Sequence, residues 1–128
     1  MNTLIILAFI AALLLYITKI PLGIAMKRTG KYDNHNPREQ QAKLTGFGAR
    51  ALAAHQNAFE SFIVFGAAIA IALATKSVDS LMINIAITHV VARVVYSIMY
   101  YIDQDILRTL SWLVATVCSF SIIWLSMS

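Results

Sequence analysis

Four long apolar runs alternate with short polar stretches along this chain. From Met1 to Thr18 no side chain is charged, and the apolar character resumes beyond Lys19 and Pro21 as far as Met26. A polar stretch, KRTGKYDNHNPREQQAKLTG, fills 27–46. Apolar runs then extend from Phe47 to Thr75, Leu81 to Ile102 and Ile106 to Met127, separated only by KSVD and DQD. With about 30 Å of hydrocarbon to cross and about 1.5 Å of rise per residue, a spanning helix needs roughly 20 apolar residues. Each run therefore predicts a spanning helix, at about 3–26, 47–75, 80–102 and 106–127, with a kink expected at Pro21. Short links make consecutive helices antiparallel neighbours. The expectation is all-α: one four-helix up-down membrane bundle over 1–128, with no second domain.

Composition points to the same solvent. Of 128 residues, 59% are hydrophobic and only 12% charged, too few polar groups to cover a small water-soluble globule. The first run has no basic start and no clear small-x-small cleavage site, so it reads as a retained helix rather than a cleaved signal. Lys27, Arg28, Lys31, Arg38 and Lys43 crowd the first connection, whereas the second holds only Lys76. The positive-inside rule then places the first and third connections in the cytoplasm and both termini outside. The net charge of +4 thus reflects topology, and nothing resembles a groove-reading motif for nucleic acid. Cys118 stands alone in the fourth run and reads as a small packing residue.

Polar chemistry is concentrated in ARALAAHQNAFESF, residues 49–62. At helical spacing Arg50, Ala53, Asn57 and Glu60 fall within about 80° of one another, and His55 lies on the opposite side. A carboxylate facing lipid costs several kcal/mol, so Glu60 should turn toward a cation on another helix. In the third run His89, Arg93, Tyr96 and Tyr100 recur at i, i+4, i+7 and i+11, and Arg93 is the expected partner of Glu60. That pair could equally be no more than polar glue between helices. Arg108, at the start of the fourth helix, adds to the positive end of its macrodipole and favours a bound anion, or simply obeys the positive-inside rule.

Two segments resemble one known family. RALAAHQNAFESF is similar to the second-helix pattern of the MAPEG family (membrane-associated proteins in eicosanoid and glutathione metabolism) at Arg50, Ala54, His55, Asn57 and Glu60. ARVVYSIMYYIDQDILR resembles its third-helix and fourth-helix pattern at Arg93, Tyr96, Tyr100 and Arg108. The resemblance implies a homotrimer with glutathione as co-substrate between subunits. Arg50, Asn57, Glu60, Arg93, Tyr96 and Tyr100 would hold the tripeptide, Arg108 would stabilise its thiolate, and His55 would meet a neighbouring subunit or its ligand. The implied activity is that of a glutathione transferase or peroxidase acting on hydrophobic electrophiles or lipid hydroperoxides that arrive from membrane lipid. Ala53 and Ser61 stand where eicosanoid-forming members carry a second Arg and an aromatic hydroxyl, which fits a bacterial-type member in an inner membrane with periplasmic termini.

Two other classes fit parts of the pattern. A non-enzymatic lipid-binding or scaffolding trimer of the same fold would need no complete cradle, and a small multidrug exporter would use an intramembrane Glu60. A metal site is not expected: His55 and Glu60 lie on different sides, and the neighbour of His89 at i+4 is Arg93. No phosphate-binding glycine loop or Ser-His-Asp arrangement is present.

Overall fold

A computed structural model describes residues 1–128. It contains six helices: α1 (Asn2–Ile17), α2 (Lys19–Arg28), α3 (Pro37–Ala42), α4 (Phe47–Ala74), α5 (Ser80–Tyr101) and α6 (Asp105–Ser126). Helices α1 and α2 run on as one span, so four segments are long and apolar enough to cross a membrane, and there are no strands. The break in the first span falls at Thr18, three residues before Pro21, because proline lacks the N–H that would bond back to the Ile17 carbonyl. Helix α3 lies within the polar stretch expected to be a connection, with Pro37 in its first turn.

The core forms where small residues let backbones approach. Along α4, Ala51, Ala54, Ala58, Phe65, Ala68 and Ala72 are buried at helical spacing. Leu4, Leu7 and Ala11 of α1, Met82, Ala86 and Val90 of α5, and Ile122 of α6 pack with the Phe65 half of that stripe. Helices α5 and α6 pack most extensively, and α4 touches α1, α2, α5 and α6. Large apolar side chains face outward on every span, among them Phe9, Ile63, Val91 and Phe120, as lipid requires.

Both short links close with the same device. Lys76 (φ 58°) and Asp103 (φ 61°) adopt the left-handed conformation just past α4 and α5. The following N–H groups, Ser77 to Ala72 O at 3.0 Å and Gln104 to Met99 O at 2.8 Å, satisfy orphan carbonyls of the last turn. Asp79 then caps α5, its Oδ1 accepting from Met82 N at 2.8 Å. At the other end Gln40 organises the stretch before α4. Its Nε2 donates to Met26 O, Thr29 Oγ1 and Lys31 O at 2.9–3.2 Å, and its Oε1 accepts from Asp33 N at 2.9 Å.

Candidate functional site

The stripe His89, Arg93, Tyr96 faces inward, with all three side chains buried, and Tyr100 is half-buried at its end. Aromatic contacts link it into a ladder: the Arg93 guanidinium lies 4.2 Å from the centroid of Tyr96, Tyr96 meets Tyr100 edge to face at 5.6 Å, and the Arg108 guanidinium lies 4.4 Å from the centroid of Tyr100. Arg108 reaches Tyr100 across the turn because Asp103 takes the left-handed conformation and reverses the chain there. Asp103 Oδ1 also lies 4.0 Å from Arg50 Nε, joining the start of α4 to the same end of the bundle.

Asn57 and Glu60 line a cleft of about 200 Å³ between α4 and α6, together with Ser61, Val64, Trp112, Thr116 and Ser119. Arg93 instead opens on a small cavity of about 20 Å³ between α1, α4 and α5, which Ser61 also lines. Asn57 and Glu60 thus open on one cleft and Arg93 on another, with Ser61 lining both, whereas Arg50, Tyr96, Tyr100 and Arg108 line neither and His55 lines a third between α2, α3 and α4.

The expected Glu60–Arg93 ion pair is absent, since the ion pairs of the chain are Lys43–Glu39 and Arg50–Asp103. Helix rotation is the reason: Ala54, Ala58 and Phe65 form the buried face of α4, and Glu60, two residues beyond Ala58, is turned away from it and exposed. His55 makes a contact within its own chain that its spacing does not announce. Its Nδ1 is 3.0 Å from Thr18 Oγ1 of its own chain. The Thr18 hydroxyl donates to Leu15 O at 3.0 Å, so Nδ1–H of His55 is the donor to Thr18, and the ring braces α4 against the break in the first span.

Four polar atoms on these residues are buried without a hydrogen-bond partner: Arg50 Nε, Asn57 Oδ1 and both terminal nitrogens of Arg93. Buried polar groups are normally satisfied, so these four atoms call for partners that the single chain does not supply.

Sequence reasoning did not single out Trp112, Thr116 and Ser119, although their i, i+4, i+7 spacing answers Asn57, Ser61 and Val64 at the same spacing on α4. A second buried group joins three helices further in. His89 stacks on Phe65 at 3.9 Å and 3°, and its Nδ1 lies 2.9 Å from Ala115 O and 3.1 Å from Ser119 Oγ. A carbonyl only accepts, so Nδ1 carries the proton and Ser119 can accept the second branch of the bond. No group of three or more His, Cys, Asp or Glu side chains is placed to hold a metal ion.

The family model for the MAPEG family matches residues 3–128, and the chain belongs to that family. No curated protein and no solved structure matches it.

Proposed function

We propose that this MAPEG-family integral membrane protein binds glutathione and activates its thiol against hydrophobic electrophiles or lipid hydroperoxides. The observation that carries the reading is the set of four orphaned buried polar atoms on Arg50, Asn57 and Arg93, beside an exposed Glu60. Glutathione offers two carboxylates, an ammonium and amide groups. Guanidinium N–H groups suit the carboxylates, Glu60 suits the ammonium, and Asn57 Oδ1 suits an amide N–H. The cleft of about 200 Å³ is small for a tripeptide, which supports completion of the site by a second protomer in a homotrimer.

In this reading Arg108 is the catalytic cation. Tyr100 holds its guanidinium in place, and the first turn of α6 adds the positive end of a helix dipole beside it. A free thiol has a pKa of about 8.5, and each unit of lowering corresponds to about 1.36 kcal/mol in favour of the thiolate. Ionisation releases the proton to water. The thiolate then attacks an electrophilic carbon, forming a C–S bond as the leaving group departs with its electron pair. With a hydroperoxide, the sulfur takes the terminal oxygen to give a sulfenic acid and an alcohol, and a second glutathione yields the disulfide and water. Hydrophobic substrates reach the thiolate from lipid, and the loop-bearing end of the bundle faces the cytoplasm of a bacterial cell.

The test is ultraviolet thiolate absorbance on mixing glutathione with the detergent-solubilised protein. Wild type should show it below the pH at which free glutathione ionises. In Arg108→Ala the signal should return to the free-thiol range, with turnover falling about a hundredfold. Bound lipid with neither thiolate signal nor turnover would favour a scaffolding trimer instead.

A further inference from the structure

The small cavity beside Arg93 has a more polar wall than its size suggests. It measures about 20 Å³ and lies among α1, α4 and α5 of one chain, where Thr18, Ser61, His89, Arg93 and Ser97 line it together with apolar side chains. None of Asn57, Glu60, Tyr96, Tyr100 or Arg108 does so. The cavity is therefore built by the fold of the single chain and is distinct from the α4–α6 cleft.

Two of its walls need hydrogen-bond partners of opposite kinds. Both terminal nitrogens of Arg93 are donors without an acceptor, on a side chain 7% exposed. His89 Nδ1 directs its proton to Ala115 O and Ser119 Oγ, which leaves Nε2 unprotonated, an acceptor to which no group of the chain donates. His89 is 1% exposed, and of the clefts described it lines this one alone. The Thr18 hydroxyl is already committed to Leu15 O and His55 Nδ1. Ser61 and Ser97 add hydroxyls that rotate to donate or accept.

An occupant of this cavity must accept from a guanidinium, donate to an imidazole nitrogen and fit within about 20 Å³. Water meets all three conditions, since one molecule needs about 10–15 Å³ and two to four polar partners. A halide could accept from Arg93 but would set its charge against the lone pair of Nε2. We propose that one buried water occupies the cavity, accepting from the Arg93 guanidinium and donating to His89 Nε2, with a serine hydroxyl as its third partner. Ionisable side chains within spans pair with one another or face water, and this water gives Arg93 local hydration in place of an ion pair.

The test is a crystal structure of the full chain without glutathione, at a resolution that shows waters, with xenon-pressurised and bromide-soaked crystals beside it. One water peak should lie within about 3.2 Å of both His89 Nε2 and an Arg93 nitrogen, and neither xenon nor bromide should enter. His89→Phe keeps the ring and removes the acceptor, so the peak should be lost. Ser119→Ala removes a partner of Nδ1 alone, so the peak should stay. Xenon density in the wild type would show a dry cavity, and bromide density would show an anion site. A water that persists in His89→Phe would take Nε2 out of the site. Each of these results overturns the proposal, and the wild-type crystals decide it alone if His89→Phe does not fold. Every arm is read in the absence of glutathione, so the outcome is independent of the thiol chemistry.

Discussion

Arg93 concentrates the conflict between burial and charge. Its side chain is 7% exposed, one face lies against Tyr96, and neither terminal nitrogen has an acceptor. A guanidinium left so placed is costly in a membrane unless something accepts from it. Hydrogen bonds to charged groups are worth about 1.5–3 kcal/mol, so Arg93→Gln should weaken glutathione binding by about 10–100-fold in a calorimetric titration. If the arginine were only polar glue between helices, the substitution would lower the melting temperature and leave the affinity of the remaining folded protein alone. His89 gives the opposite expectation. It is 1% exposed, stacked on Phe65 and bonded to the Ala115 carbonyl, with no orphaned atom among the four. His89→Phe keeps the ring but removes the bond from α5 to α6, so it should destabilise by about 1–3 kcal/mol in detergent melting, with glutathione affinity changed little.

Helix ends and rotations decide which parts of this site were legible in the sequence. The inward stripe of α5 followed from spacing alone, because His89, Arg93 and Tyr96 lie on the face that packs. That Asn57 and Glu60 open on one cleft was also legible, but not the helix they face, since rotation about an axis is set by whichever side buries the alanines, and Arg50 instead lies by Asp103. Nothing in the pattern of apolar residues reports that the Ala54–Ala58–Phe65 face wins, so Glu60 was assigned to α5 rather than to the α6 cleft. The left-handed turns were hidden for another reason: Lys76 and Asp103 hold positions that glycine usually takes. Lys76→Gly should therefore raise stability by about 0.5–1 kcal/mol, read as a higher melting temperature in detergent. Asp103→Gly relieves the same backbone but loses the carboxylate 4.0 Å from Arg50, so its gain should be smaller.

At the scale of the whole molecule, the single chain leaves one thing unresolved that physics does not tolerate. Glu60 lies about 20 Å along α4 from Phe47, within the span, and is exposed on the protomer. An outward carboxylate at that depth would face lipid if the chain were alone, at a cost of several kcal/mol. In the proposed homotrimer a neighbouring protomer would resolve this by covering the α4–α6 cleft and shielding Glu60. Light scattering of the detergent complex, corrected for bound detergent, should then give three chains. The two arrangements also disagree on Glu60→Gln. In a trimer with Glu60 aimed at the ammonium of glutathione, the glutamine variant stays trimeric and loses affinity for glutathione by about tenfold or more. In a monomer with Glu60 toward lipid, removing the charge relieves the membrane, and the variant melts higher than wild type without touching ligand affinity.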